Sequence, residues 1–207
     1  MWVGTRQLDS QVTAHEHAAM LVLASASPRR RELLRWLIGE YDLYTAHVDE
    51  SPHPGEAARV LVARLARAKA EAVGARRRDA WILGADTIVE IDGDILGKPA
   101  DERDAVAMLG RLSGREHRVL TGFTLLAPGG EHRSATVESR VLFRPLDDAR
   151  IESYVATGEP LDKAGSYAIQ GRGAALVARV DGSFTNVIGL PLDEVGAVLR
   201  EAGLLAR

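Results

Sequence analysis

Short apolar runs alternate with amphipathic segments along most of this chain, and two hairpin signals interrupt the alternation. Residues 20–24 have the pattern of a buried strand, and a short polar turn leads from them to a helical pattern that begins at Pro28. Turn chemistry predicts hairpins at residues 92–94, where Asp-Gly favours a type I′ turn, and at residues 128–130. Alternating strands and helices favour parallel pairing, whereas hairpins add antiparallel strands. The pattern therefore predicts an α/β fold with an elongated mixed sheet flanked by helices.

The positions of the polar residues relative to the predicted strands and helices indicate which of them could meet. The pattern predicts strands over residues 41–48 and 80–83 and a helix over residues 56–73. The second strand is expected to end at Gly84-Ala85-Asp86-Thr87. Lys69 falls on a mostly apolar stripe of the helix, where a charge is costly unless it is paired, directed into a cleft or extended to solvent. Glu50 and Asp86 then lie just past strand ends, where ligands of α/β proteins bind.

Composition restricts the class of protein. The chain has 207 residues, of which 46% are hydrophobic and 27% charged, and its formal net charge is −3. No basic excess is available to neutralise a nucleic-acid backbone, and no apolar run reaches the roughly 18–20 residues of a membrane span. The absence of cysteine excludes disulfides, thiolate metal sites and cysteine nucleophiles. We expect a cytoplasmic globular protein that binds neither nucleic acid nor membrane.

No internal repeat, low-complexity tract or Pro/Gly-rich linker divides the chain. Residues 1–19 show no clean periodicity, and their acidic residues Asp9 and Glu16 argue against a signal peptide formed with the short apolar run that follows. We expect residues 1–19 to be a leader that is disordered or not native, and residues 20–207 to form a single domain.

Several polar residues form a set suited to phosphate chemistry. The turn before the first helix offers hydroxyls, backbone N–H groups and guanidinium groups to an anion, and its residues are Ser25, Ser27, Arg29 and Arg30. Glu50 and Asp86 suit a hard divalent cation such as Mg²⁺. Lys69 and Lys98 would add positive charge, and together with Lys163 they are the only lysines among 26 basic residues. Ordinary structural explanations remain open: the turn could be a capped surface helix, and Asp86 could cap a turn.

Familiar catalytic motifs are absent. The chain has neither GxxxxGK[ST] nor a GxGxxG between a strand and a helix, so a P-loop and a Rossmann site are excluded. Its six histidines show no HExxH spacing, and no nucleophile elbow supports Ser-His-Asp catalysis.

A series of short stretches, read together, is more specific than any one of them. In chain order they are Leu23-Ala24-Ser25-Ala26-Ser27-Pro28-Arg29-Arg30, Val48-Asp49-Glu50, Leu65-Ala66-Arg67-Ala68-Lys69-Ala70, Gly84-Ala85-Asp86-Thr87, Lys98-Pro99, Leu112-Ser113-Gly114, Thr121-Gly122, Glu159-Pro160-Leu161-Asp162-Lys163-Ala164-Gly165-Ser166-Tyr167, Ile169-Gln170-Gly171 and Gly189-Leu190-Pro191. From Met20 to about Gly203, the chain resembles the Maf family, the septum-formation-inhibitor-like nucleoside triphosphate pyrophosphatases. All three lysines fall inside these stretches.

The resemblance implies a fold and a reaction. The fold would have two lobes with a cleft between them and be related to inosine triphosphate pyrophosphatases. The reaction would be hydrolysis of a nucleoside triphosphate to the monophosphate and pyrophosphate, with Mg²⁺ or Mn²⁺, by water attack at the α-phosphate. Members of the family are often dimers, so a homodimer is one state that the resemblance allows.

The resemblance also assigns roles to residues. Asp86 would accept the proton, and Glu50 and Asp86 would hold the metal, although the sequence does not decide between the two roles of Asp86. The predicted phosphate-binding residues are Ser25, Ser27, Arg30, Lys69 and Lys98, with Ser27 included as part of the polar turn. The predicted specificity residues are Arg29, Thr87 and Gln170.

Thr87 is the residue that separates two branches of the family. Thr after the catalytic Asp is similar to the branch acting on dTTP and UTP, whereas the branch acting on 7-methyl-GTP typically has Gln there. The alternatives are a pyrophosphatase for 7-methyl-GTP or another modified nucleotide, and a cell-division regulator that acts by binding a partner.

Overall fold

A computed structural model describes residues 20–206 of the chain. The predicted leader, residues 1–19, lies outside the described residues. Among the described residues, no helix is long and apolar enough to cross a membrane.

Seven strands within residues 20–206 form one mixed sheet. They are β1 Leu21–Ala24, β2 Asp42–Leu43, β3 Trp81–Ile91, β4 Asp94–Leu96, β5 Glu116–Leu126, β6 His132–Phe143 and β7 Val177–Asp181. Their order is β2-β1-β3-β5-β6-β7, and β4 also pairs with β3. The pairs β1–β2 and β1–β3 are parallel, and all the others are antiparallel. The predicted mixed sheet is confirmed, with the hairpins supplying the antiparallel part.

Helices cover both faces of the sheet. They are α1 Pro28–Arg35, α2 Ala58–Gly74, α3 Glu102–Leu112, α4 Asp148–Val155, α5 Phe184–Ile188 and α6 Leu192–Glu201. Three short 3₁₀ turns precede β7, at Glu159–Asp162, Ala164–Ser166 and Gly171–Leu176. Because side chains alternate along a strand, residues of even number in β3 face α2 and residues of odd number face the other helices. Ile82 and Ile88 accordingly pack against α2, whereas Leu83 packs against α1 and α6.

Within residues 20–206, two clusters of buried apolar residues share the face of the sheet opposite α2, and the partly buried Val177, Val180 and Val187 pack against both. One joins α1 and α6 to the sheet around Leu83 and Phe123. The other joins α3 and α4 to the opposite end of the same strands, around Val89 and Phe143. On this face of β3 the polar residue Thr87 lies between the residues of the two clusters. The cleft between the two lobes is lined by residues of both clusters, Val89 and Tyr167 of one and Ile169 and Ile188 of the other.

Strand β3 has an edge that is only partly paired. Its residues 82–90 pair with β5 along one edge. On the other edge, β1 pairs up to Gly84 and β4 pairs from Val89 onward. Within the described part of the chain, residues 85–88 therefore have no strand partner on this edge. The gap places Asp86 and Thr87 beside open space in the middle of the sheet.

This arrangement corrects the predicted end of a strand at Gly84-Ala85-Asp86-Thr87. β3 continues through all four residues to Ile91, so Asp86 lies inside a strand and not beyond its end. Gly84 is needed for packing rather than for a turn, because a Cβ there would lie 2.3 Å from Ala66 O and 2.7 Å from Ala70 N on α2. A glycine inside a strand pattern can mark such a close approach of another backbone.

The prediction of a strand over residues 41–48 was also wrong in length, because β2 has only two residues, Asp42 and Leu43. Its sole partner among the described residues is β1, which ends at Ala24 and leaves nothing for a longer strand to pair with. The chain from Thr45 onward instead turns toward the cleft, and Glu50 follows irregular backbone rather than a strand end.

Local signals were more reliable at turns. The hairpin between β3 and β4 has Asp92 at φ 55° and Gly93 at φ 87°, which confirms the predicted type I′ turn. Pro28 opens α1 and Ser27 caps it, as expected for a helix that begins after a polar turn.

Candidate active site

A cavity of about 620 Å³ occupies the gap in the sheet. Every residue that the sequence assigned to the site lines it; these are Ser25, Ser27, Arg29, Arg30, Glu50, Lys69, Asp86, Thr87, Lys98 and Gln170. They come from the turn after β1 and the first residues of α1, from α2 and β3, from the chain after β2 and after β4, and from the segment around Gln170. Asp162 and Lys163 also line the cavity, so it contains five cationic and three carboxylate side chains. This excess of positive charge favours an anionic ligand.

Lys69 links the two predicted metal ligands. Its Nζ lies 2.6 Å from Asp86 Oδ1 and 2.6 Å from Glu50 Oε1. Lys69 and Asp86 are both 8% exposed, whereas the side chain of Glu50 is 57% exposed. The apolar stripe of α2 therefore directs its one lysine into the cleft, where the carboxylates compensate its charge.

Arg30 holds the turn after β1 against β3. Its Nε donates to the backbone oxygen of Gly189 at 2.8 Å, and one terminal nitrogen donates to Thr87 Oγ1 at 2.9 Å. The other terminal nitrogen donates to Ser25 Oγ at 3.4 Å. Ser27 Oγ is occupied locally, because it accepts the N–H of Arg30 as the cap of α1. Ser25, Arg30 and Thr87 therefore form one connected group at the cleft.

Charges in the cleft alter the pKa values of two of these groups. Burial lowers the pKa of Arg30, and the charge of Arg29 adds to this effect, while Asp86 and Glu50 oppose it. Burial acts to raise the pKa of Glu50, but the hydrogen bond and charge of Lys69 outweigh it, so the pKa is lower than usual. Lys98 and Arg30 lower the pKa of Glu50 further. The cleft therefore stabilises a carboxylate anion at Glu50.

Three predicted residues have no partner from the fold. Among residues 20–206, no hydrogen bond or ion pair engages the side chains of Arg29, Lys98 or Gln170, although all three line the cavity. Side chains that the fold does not use for its own structure are available to a ligand.

Thr87 belongs to a polar chain that the sequence did not indicate. Its hydroxyl lies 2.9 Å from Thr121 Oγ1 on β5, and Thr121 Oγ1 donates to the backbone oxygen of Asn186 at 3.0 Å. Asn186 Nδ2 donates to Val119 O and Ser139 Oγ. Thr121 and Asn186 are fully buried, so they fix the position of Thr87 without reaching a ligand. The sequence analysis included Thr121 in a recognised stretch, Thr121-Gly122, but gave it no role.

The sequence also missed the residues that hold the loop bearing Gln170. Glu159 accepts hydrogen bonds from the backbone N–H groups of Arg172 and Gly173, and Tyr154 bonds both Glu159 and the loop. Glu159 stood in a recognised stretch, but nothing in its local pattern indicated this contact.

The two carboxylates suit a divalent cation. Glu50 and Asp86 both contact one ammonium group, and their carboxylate oxygens are the hard donors that a divalent cation such as Mg²⁺ prefers. No group of three or more His, Cys, Asp or Glu side chains in the described chain could hold a metal. A metal with two protein carboxylates is compatible with Mg²⁺, which commonly takes its other ligands from water and substrate phosphates.

Comparisons with known proteins identify the family of the chain. The family described as "Maf-like protein" matches residues 20–202. The dTTP/UTP pyrophosphatase of Myxococcus xanthus (strain DK1622) is 54% identical over 185 residues, covering 89% of this chain and 93% of that protein. The dTTP/UTP pyrophosphatase of Geobacter metallireducens is 53% identical over 187 residues, covering 89% of this chain and 97% of that protein.

A solved structure resembles the fold. The Staphylococcus aureus Ham1 protein aligns with a TM-score of 0.54 at 13% identity, covering 88% of this chain and 99% of that one. At this identity the likeness concerns the fold alone. With a family match that spans the sheet, both lobes and every residue of the cleft, this chain belongs to the Maf family.

Proposed function

We propose that this protein hydrolyses pyrimidine nucleoside triphosphates, first of all dTTP and UTP, to the monophosphate and pyrophosphate. The observation that carries the proposal is the Asp86–Lys69–Glu50 arrangement in a cationic cleft. The two relatives named above, both called dTTP/UTP pyrophosphatases, support the choice of substrate.

The size and charge of the cleft suit a nucleotide. Its volume of about 620 Å³ falls in the range of roughly 300–1,000 Å³ that is usual for small-molecule sites. Arg30 and Lys98 provide positive charge from opposite sides of the gap, since one belongs to α1 and the other follows β4. Ser25 adds a hydroxyl and the N-terminus of α1 adds backbone donors. The triphosphate would be held between these groups.

Asp86 is the base in this proposal. In this structure its Oδ1 accepts the hydrogen bond of Lys69. Among the described residues no donor engages Oδ2, so that oxygen can accept a proton from a water molecule. Attack of this water at the α-phosphorus would form a new P–O bond and break the bond to the bridging oxygen of pyrophosphate. Lys69 and Lys98 would stabilise the negative charge that moves onto pyrophosphate.

Glu50 and Asp86 would hold the divalent cation, Mg²⁺ or Mn²⁺. When bound, such an ion polarises phosphoryl oxygens and lowers the pKa of a bound water. Lys69 now lies between the two carboxylates, so its ammonium group would move from them toward the phosphates. Like charges repel at such short range, which makes this exchange of partners a necessary part of metal binding.

The base would be recognised at the other end of the cleft. Gln170 offers one amide donor and one amide acceptor, and Arg29 offers guanidinium donors. Thr87 is fixed by Arg30 and Thr121, and its backbone lies on the open edge of β3. These groups match the alternating acceptors and donor on the edge of uracil and thymine.

The test is to identify the products from a panel of triphosphates: dTTP, UTP, CTP, GTP, ATP and 7-methyl-GTP, each with Mg²⁺ or Mn²⁺. We expect monophosphate and pyrophosphate, with dTTP and UTP the best substrates. When the reaction is run in water labelled with ¹⁸O, the ¹⁸O should appear in the monophosphate, because the water attacks the α-phosphorus. Label in phosphate or pyrophosphate would contradict the mechanism.

The same panel of triphosphates also tests which nucleotide the protein prefers. A preference for 7-methyl-GTP would refute the pyrimidine assignment while keeping the reaction. No turnover by folded protein would refute the enzyme proposal and favour a protein that regulates cell division by binding a partner.

A further inference from the structure

The segment that carries Gln170 into the cleft has no strand partner in the described chain. It joins the 3₁₀ turn Ala164–Ser166 to the 3₁₀ turn Gly171–Leu176. The backbone N–H of Ala168 in this segment, and those of Arg172 and Gly173 at the start of the following 3₁₀ turn, donate to side chains. The position of Gln170 therefore depends on those side chains.

Tyr154 and Glu159 supply both attachments. Tyr154 Oη accepts the N–H of Ala168 at 3.2 Å and donates to Glu159 Oε1 at 2.9 Å. Glu159 Oε2 accepts the N–H of Arg172 at 3.0 Å, and Oε1 accepts the N–H of Gly173 at 2.9 Å. The bonds fall two residues before Gln170 and two and three residues after it. One hydrogen-bonded pair thus holds the loop on both sides of Gln170.

At Gly171 and Gly173 the backbone of the loop lies so close to Tyr154 and Glu159 that no side chain larger than the hydrogen of glycine would fit. A Cβ on Gly171 would lie 2.8 Å from Glu159 Oε2, and its φ of +79° disfavours other residues as well. A Cβ on Gly173 would lie 2.6 Å from Tyr154 Oη and 2.2 Å from Ala168 O. The two glycines allow the backbone N–H groups to reach the carboxylate and the hydroxyl.

Electrostatics keep Glu159 in the form that can accept all three bonds. Burial acts to raise its pKa, but the N–H groups of Gly173 and Arg172 and the hydroxyl of Tyr154 together lower it. Burial raises the pKa of Tyr154, with the neighbouring carboxylate adding to the effect, so its hydroxyl stays protonated and can donate. Lys163 Nζ also donates to the backbone oxygen of Glu159 at 2.7 Å, which ties the pair to the wall of the cleft.

We propose that Glu159 and Tyr154 are positioning residues for base recognition, which act by holding the Gln170 loop and do not touch the substrate. This inference rests on the proposed function, in which Gln170 reads the base. Neither residue lines the cavity, whereas Gln170 does. We call the pair of Tyr154 and Glu159, with its hydrogen bonds to the loop, the clamp. Loss of the clamp would weaken base discrimination and leave the Asp86–Lys69 arrangement on β3 and α2 unchanged.

The first experiment measures the loop itself. Amide hydrogen exchange of peptides covering residues 168–173 is compared in wild type, Glu159→Gln, Tyr154→Phe and the control Glu152→Gln. Glu152 is exposed on α4, in the turn before Tyr154, so it matches the charge change without touching the loop. We expect exchange about tenfold faster or more in the two clamp variants and no change in the control.

The second experiment is a double-mutant cycle with Gln170→Ala, scored as the ratio of kcat/KM for UTP to that for CTP. Glu159→Gln is expected to reduce this ratio about tenfold, mainly through KM, with kcat for UTP within about twofold of wild type. Combining it with Gln170→Ala should reduce the ratio no further, because both changes remove the same contact. A general structural role would instead give additive losses.

The outcomes separate this inference from the proposed function. Unchanged amide exchange in both clamp variants, or faster exchange with an unchanged UTP/CTP ratio, would overturn the positioning role. Additive losses in the cycle would overturn it too. Absence of turnover by the wild-type protein would refute the proposed function, and with it the positioning role, while the exchange result alone would still report on the clamp. Tyr154→Phe keeps the buried ring in the core, so it remains informative if Glu159→Gln does not fold.

Discussion

The distance between α2 and β3 is the dimension of the fold on which the site depends most directly. We expect the substitution Gly84→Ala to change it. The added Cβ would lie 2.3 Å from Ala66 O and 2.7 Å from Ala70 N, and both atoms belong to the backbone of α2. Contacts shorter than 3.4 Å are unusual for a Cβ, so the helix would have to retreat by about 1 Å.

Such a movement has a cost that follows from the packing. The face of α2 against the sheet is closed, with Val62, Ala66, Ala70 and Val73 all 0% exposed. Overpacking of a closed core typically costs about 1–3 kcal/mol, and a clash with backbone on a helix packed along two strands belongs at the upper end. We therefore expect the free energy of unfolding to fall by about 3 kcal/mol.

The same movement would disturb the site. Lys69 lies on α2 and Asp86 on β3, and their contact of 2.6 Å would lengthen to about 3.6 Å, beyond hydrogen-bond range. A displacement of about 1 Å in a catalytic group can cost about a hundredfold in rate. We expect kcat/KM for UTP to fall by about that factor.

Urea denaturation followed by circular dichroism measures the loss of stability, and product formation from UTP measures the loss of activity. Gly110→Ala is the matched control, because Gly110 is exposed on α3 and a Cβ there meets no atom within 4 Å. We expect the control to gain about 0.5–1 kcal/mol, since alanine is the better helix former. A Gly84→Ala protein within about 0.5 kcal/mol of wild type, with normal turnover, would refute the packing argument.

Other changes test the site and the fold separately. Asp86→Asn should lower kcat by about 10²–10⁴-fold with little change in the denaturation midpoint, whereas Asp79→Asn, at an 80% exposed position, should leave both unchanged. Lys69→Met should bind Mn²⁺ about tenfold more tightly in calorimetric titration without nucleotide, because no ammonium group competes for the two carboxylates; equal or weaker binding would contradict the shared site. Burial lowers the pKa of His117 to about 4 from an ordinary 6.5, so the unfolded chain takes up a proton first as the pH falls. Its contribution to stability is complete above pH 6.5 and is lost toward pH 4, and we expect a loss of about 2 kcal/mol between pH 7 and pH 5 that is absent in His117→Gln.

The sequence predicted the parts of the site that short-range patterns encode. Ser27 and Pro28 mark the start of α1 because capping and a fixed φ operate within a few residues. The stripe of α2 set Lys69 among apolar residues but did not decide whether its ammonium group enters a cleft or reaches solvent. The resemblance of the chain to a known family is what grouped residues from distant elements into one site. Every predicted site residue lines the cavity, although the roles of those residues remain proposals.

Tertiary packing decided what these patterns could not express. The strand was predicted to end at Gly84-Ala85-Asp86-Thr87, but the strand is unbroken there and Gly84 admits the backbone of α2 against it. The clamp of Tyr154 and Glu159 on the Gln170 loop, and the contact of Arg30 with Gly189, join positions that local chemistry does not connect. Turn and helix signals act between neighbours in the chain, whereas the gap beside Asp86 exists only because β1 ends and β4 begins at different points along the same edge of β3. Which elements approach, and how closely, is a property of the packed fold, and that property places the carboxylates and cations in one cleft.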